Sequence, residues 1–135
     1  DDEAESVRVF IRVRPQTAAE SEEPTCLVVQ NEQNILLKNR RATILEDDKD
    51  ADTEYTFDKV WSSNSTQETV FQEVLPTVDS IVQGFQSTIF AYGPSGSGKT
   101  HTMLGNQESP GIIPRALKRV FDLMDKESSR MFVVI

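Results

Sequence analysis

Cysteine is almost missing from the 135 residues: Cys26 stands alone. One thiol excludes an intramolecular disulfide framework and any multi-cysteine zinc site. Cationic side chains are also in short supply, 14 Lys+Arg against 22 Asp+Glu, for a formal net charge of −8. That balance argues against a general nucleic-acid binder, which needs basic residues to replace the counterions on phosphate. No run approaches the ~20 apolar residues of a membrane helix, so no membrane insertion is expected. The start, Asp1-Asp2-Glu3, is the opposite of a positively charged signal peptide. Together these absences lead to the expectation of a cytosolic chain. What is present, 37% hydrophobic and 27% charged residues, is enough for a soluble domain with a core.

Glycine is absent from the first half: all six, from Gly84 to Gly111, fall in one stretch. Before it, Val7 to Val13 alternates with period two and is rich in β-branched residues, which predicts a strand stopped by Pro15. Thr17 to Thr25 is polar and acidic, as in a solvated loop. Leu27 to Gln30 and Ile35 to Lys38 are short strand candidates around a turn at Asn31-Glu32-Gln33-Asn34, and Ala42 to Leu45 is another. Glu46 to Glu54 holds six carboxylates and one lysine, which reads as a hydrated loop, with docking of a basic partner as the alternative. Tyr55-Thr56-Phe57 alternates again, and Val60-Trp61 has buried character.

Ser65-Thr66-Gln67-Glu68 has the form of a capping box ahead of a helix. Val70, Phe71, Val74, Leu75, Val78, Ile81 and Val82 then form one apolar stripe, with Pro76 inside it expected to kink the helix and Gly84 as the stop. Thr88 to Tyr92 has the pattern of a strand buried on both faces. Ile112 to Glu127 returns to helical spacing, with Ile113, Ala116, Leu117, Val120, Phe121 and Met124 on one side, and Arg130 to Ile135 begins another strand. The alternation predicts an α/β fold with a small antiparallel lobe at about residues 26–60, near the N-terminus.

The chemistry concentrates in Gly93-Pro94-Ser95-Gly96-Ser97-Gly98-Lys99-Thr100, which fits Gly-x-x-x-x-Gly-Lys-Ser/Thr, the P-loop. Glycines let successive backbone N–H groups converge on phosphate oxygens. Lys99 is spaced to reach the β- and γ-phosphates, and the Thr100 hydroxyl to ligate Mg²⁺. The helix opening at Gly98 adds its positive end. Two fixed glycines with Lys and Thr arise by chance in well under ~1% of chains this long, so a plain Gly/Ser linker is a poor competitor. The motif alone leaves nucleotide kinases and small GTPases open.

Phe90-Ala91-Tyr92-Gly93 followed by Gly96-Ser97-Gly98-Lys99-Thr100-His101-Thr102-Met103 resembles the signature of the kinesin motor domain. Arg12-Val13-Arg14-Pro15 resembles the end of its first strand. Tyr55-Thr56-Phe57-Asp58-Lys59-Val60 with Thr66-Gln67-Glu68 resembles the entry to its first helix, and Gly111-Ile112-Ile113-Pro114-Arg115 the start of its next main one. The match is collinear from about Val7 to Ile135. It implies a P-loop NTPase of kinesin type, with a mixed central sheet flanked by helices. It also implies ATP/ADP and Mg²⁺ as cofactors, microtubules as partner, and the cytoplasm and cytoskeleton as location. Arg12, Arg14 and Pro15 would flank the adenine, with His101 on its other side, and Tyr92 would shape the base of the loop. Gly105 to Pro110 would correspond to the loop interrupting the P-loop helix.

Two positions depart from the family pattern, which has Gln then Thr where this chain has Pro94 and Ser95. Pro94 removes one potential N–H donor to phosphate and one side-chain amide. The switch segments and microtubule-binding helix of the family are not among these residues, and no residue here is a credible general base for hydrolysis. The expectation is therefore the N-terminal, nucleotide-binding part of a motor domain. Strands that flank Thr88 to Tyr92 in the family would come from elsewhere, and residues 1–135 alone would aggregate or stay partly unfolded. A non-catalytic kinesin-like module is the runner-up, with Pro94 as its only hint.

Overall fold

The computed structural model describes residues 7–22, 24–38 and 52–126. In chain order these form β1 (Phe10–Arg12), β2 (Leu27–Val29), β3 (Asn34–Leu37), β4 (Thr53–Thr56), β5 (Lys59–Trp61), α1 (Gln67–Val82), α2 (Lys99–Met103) and α3 (Ile112–Lys126). They divide into two compact units between Asn64 and Ser65.

In the first unit β1 and β5 run parallel, with Phe10 opposite Lys59, Ile11 opposite Val60 and Arg12 opposite Trp61. The expected Val7–Val13 strand is shorter than its pattern because a ladder extends only as far as its partner does. Val13 N–H still donates to the Trp61 carbonyl at 2.9 Å, and Val9 N–H to the Asp58 carboxylate at 2.7 Å. Val60 and Trp61 are buried as expected, and the Trp61 ring lies 5.4 Å from that of Phe10. A separate sheet has the order β2-β3-β4, antiparallel throughout. Its first turn forms where Asn31-Glu32-Gln33-Asn34 predicts it. The Asn31 side-chain oxygen accepts from the N–H groups of Gln33 and Asn34, at 2.9 and 2.8 Å. The strand expected at Ala42–Leu45 and the one starting at Arg130 lie outside the described residues, as does most of the acidic run from Glu46.

In the second unit α1 packs against α3. Val70, Phe71, Val74 and Val78 are buried along one stripe of α1, and Ile112 at the start of α3. The cap of α1 differs from the expected capping box by one residue. Thr66, not Ser65, is the N-cap, and its hydroxyl accepts from Thr69 N–H at 3.1 Å. Glu68 is thereby left in the first turn, where it accepts from Gln72 at 2.6 Å and pairs with Arg115 of α3. Both contacts hold its carboxyl below the usual carboxylate range. One turn from the far end, Arg119 of α3 grips Asp79 of α1 with two bonds of 2.8 Å. Pro76 lies inside α1 without ending it, and the helix stops before Gly84.

Two expectations are corrected here. Thr88 to Tyr92 is not a strand, and it is not buried: Phe90 is 75% exposed. A strand buried on both faces needs a neighbour on each side, and no described residue pairs with this run. The apolar side of α3 is also not wholly internal, since Ile113, Leu117 and Phe121, spaced four residues apart, remain exposed. No described helix is long and apolar enough to cross a membrane.

Candidate functional site: a glycine-rich loop and the helix it opens

The loop from Gly93 to Gly98 runs directly into α2. Its curl depends on glycine at defined points. Gly96 and Gly98 adopt φ of 78° and 99°, which side chains disfavour. A Cβ on Gly93 would lie 2.6 Å from Ser97 Oγ, so a larger residue there would require the serine hydroxyl to turn aside. Ser97 N–H donates across the turn to the Pro94 carbonyl at 3.2 Å. By contrast, the N–H groups of Gly98, Lys99 and Thr100 donate to no acceptor among the described residues. The first N–H groups of a helix have no partner within it and need one from outside.

Lys99 folds back over the loop. Its ammonium donates to the carbonyls of Gly93 and Pro94 at 2.7 and 2.8 Å. Both acceptors are neutral, so its positive charge is not cancelled. Thr100 is exposed, with its hydroxyl open to a ligand, and Ser95 and Gly96 lie at the exposed crest. These groups fit a polyphosphate: N–H donors in series, an uncompensated ammonium, and a hydroxyl beside them for the accompanying Mg²⁺. Pro94 contributes a carbonyl to the lysine and no donor to phosphate, as its ring requires. Tyr92, expected to shape the base of the loop, is 96% exposed, and its ring forms no wall of it.

His101 is exposed on α2, and its backbone is held from outside the helix. Its carbonyl accepts from the side-chain amide of Gln67 at 2.6 Å. Gln67 is 4% exposed, although the sequence marks it only as part of the entry to a helix. The available signal was its position, at i−4 from Phe71 and i−7 from Val74, on the stripe that faces inward.

Arg12, Arg14 and Pro15 belong to the first unit. Arg12 is part-buried at the end of β1, and desolvation lowers its pKa. Arg14 makes a two-pronged pair with Glu20, at 2.7 and 2.6 Å, while Glu20 also accepts from Thr17 N–H at 2.9 Å. The Arg14 hydrogen bond, with the Thr17 bonds, brings the Glu20 carboxyl down to about 2. Glu20 is the second residue missed, read as one of several solvated acids. Pro15 is exposed, and its carbonyl accepts from Arg14 at 3.0 Å. No group of His, Cys, Asp and Glu able to hold a metal ion occurs among the described residues, so a cation at this site would depend on Thr100 and the phosphates.

A family model of the kinesin motor domain matches residues 12–135. The chain belongs to the kinesin motor domain family. It is 40% identical over 132 residues to the kinesin-like protein KIN-14T of Arabidopsis thaliana, covering 96% of this chain and 14% of that protein. It is 42% identical over 122 residues to the kinesin-like protein KIF22 of Danio rerio, covering 87% of this chain and 18% of the relative. Among solved structures, a fast kinesin superposes with a TM-score of 0.77 at 30% identity, over 92% of this chain and 34% of that one. The chain thus spans less than a fifth of these curated relatives and about a third of the solved motor. The fold expected from the sequence, a kinesin-type α/β P-loop core, is the one these matches support.

Proposed function

We propose that this chain supplies the nucleotide-binding part of a microtubule motor that hydrolyses Mg-ATP. The observation that carries the reading is the loop itself: three N–H groups without acceptors beside an ammonium held only by neutral carbonyls. The Lys99 ammonium and the N–H groups of Gly98, Lys99 and Thr100 would hold the phosphates, with Gly93, Pro94, Ser95, Gly96 and Ser97 forming the rest of the loop. Thr100 would ligate Mg²⁺, which screens the phosphate charge when bound. Tyr92 would adjoin the loop. The roles of Arg12, Arg14, Pro15 and His101 at the adenine rest on the resemblance of their motifs to the family. Family membership supports ATP turnover, microtubules as the partner and the cytoskeleton as the place of action.

Microtubule co-sedimentation and microtubule-stimulated ATPase of the full-length protein test this, with Lys99→Ala as control. The expected result is nucleotide-dependent sedimentation and stimulated turnover that Lys99→Ala abolishes. Turnover unaffected by that substitution contradicts the site. Sedimentation and ATP binding without any turnover favour the non-catalytic alternative.

A further inference from the structure

We propose that Gln67 is a positioning residue for base recognition, holding His101 in place from α1. An α-helix leaves its last carbonyls without intrahelical donors. At the end of α2, Leu104 and Gly105 N–H both donate to the Thr100 carbonyl, at 2.8 and 3.1 Å. Gly105 would otherwise serve His101, whose carbonyl is therefore left for a donor from elsewhere. The Gln67 amide provides it at 2.6 Å and reaches Ser109 O at 3.3 Å. Ser109 is part of the loop closed by the Gly105–Pro110 bridge, with Asn106 accepting from its N–H at 2.7 Å. One buried amide thus joins the helix that carries His101 to the loop that follows it.

Among the described residues Gln67 is the one buried polar side chain, the other buried side chains being apolar. An apolar residue of its size would fill the space but leave the His101 carbonyl without its donor. The consequence falls on the residue whose side chain is assigned to the adenine, four positions beyond Ser97 and clear of the loop's crest. The inference rests on that assignment of His101. It predicts a loss of affinity for the base that spares the phosphates.

Calorimetry on the nucleotide-stripped full-length protein tests it, with Mg-ATP and with inorganic tripolyphosphate, which has no base. Gln67→Met keeps the volume and removes the donor. Expected is about tenfold weaker ATP binding with less than about twofold change for tripolyphosphate. His101→Ala should behave alike, and the double variant should be no weaker than either single one, as for two residues acting through one contact. If His101→Ala weakens ATP selectively but Gln67→Met weakens both ligands equally, or neither, the positioning role is overturned. If His101→Ala leaves ATP binding unchanged, the base assignment fails and this inference with it. Should Gln67→Met not fold, the unmodified protein decides. Its Gln67 side-chain amide resonances should move on binding ATP and stay in place with tripolyphosphate, and no ATP-specific movement overturns the proposal.

Discussion

Arg14 and Lys99 are both proposed to meet the nucleotide, and both are occupied by groups of the protein itself. Arg14 is gripped by a carboxylate, Glu20, through two short bonds. Lys99 is held by two backbone carbonyls, which carry no net charge. The difference matters because a charge-assisted, forked pair is both stronger and more directional than an ammonium on carbonyls. Arg14 has its charge answered and its plane fixed, which suits a residue that presents a flat face. Lys99 keeps its charge, and an anion that arrives offers more than the carbonyls do. The first contact is built to stay and the second to be exchanged.

The largest effect expected from breaking this contrast is at Lys99. Lys99→Ala should weaken ATP binding by at least ~100-fold in calorimetry, because the phosphates lose a charged donor that nothing in the loop replaces. Next comes Glu20→Gln, which keeps the shape of the grip and removes its charge. ATP affinity should fall by less than about tenfold, and a fall as large as that for Lys99→Ala would mean that the two sites do not differ in kind. The pH dependence sharpens the same point. The Glu20 carboxyl is depressed to about 2 in the folded protein from an ordinary value of 4.5. Its contribution is therefore complete above about 4.5 and is lost as pH falls from there through about 2. Carbonyl-carbon NMR of Glu20 should show a midpoint near 2, and a midpoint near 4.5 would show an unpaired Arg14. The smallest effect expected is from Pro94→Gln. It restores one N–H while keeping the carbonyl that holds Lys99, so ATP should bind roughly two- to fivefold more tightly.

What was legible in the sequence was local. The turn at Asn31, the stripe of α1 and the extent of α3 all depend on residues within a few positions of one another, and each is where the pattern places it. What was not legible depends on partners. Thr88 to Tyr92 has strand composition but forms no ladder, because composition supplies a surface and only a neighbour supplies hydrogen bonds. Gln67 and His101 are 34 positions apart, and no periodicity links them. Glu20 stands among other acids, and only the fold of the turn after Pro15 distinguishes it from Glu22. The family resemblance carried the reading across these gaps for the fold, and it did not point to either of these two polar contacts.

The most direct test of the contrast is the structure of the full-length protein with Mg-ADP bound. The expected result is that the Lys99 ammonium leaves the carbonyls of Gly93 and Pro94 for a phosphate oxygen, while the pair between Arg14 and Glu20 stays intact. A bound nucleotide with Lys99 still on those carbonyls, or with Arg14 released from Glu20 to reach phosphate, would contradict it.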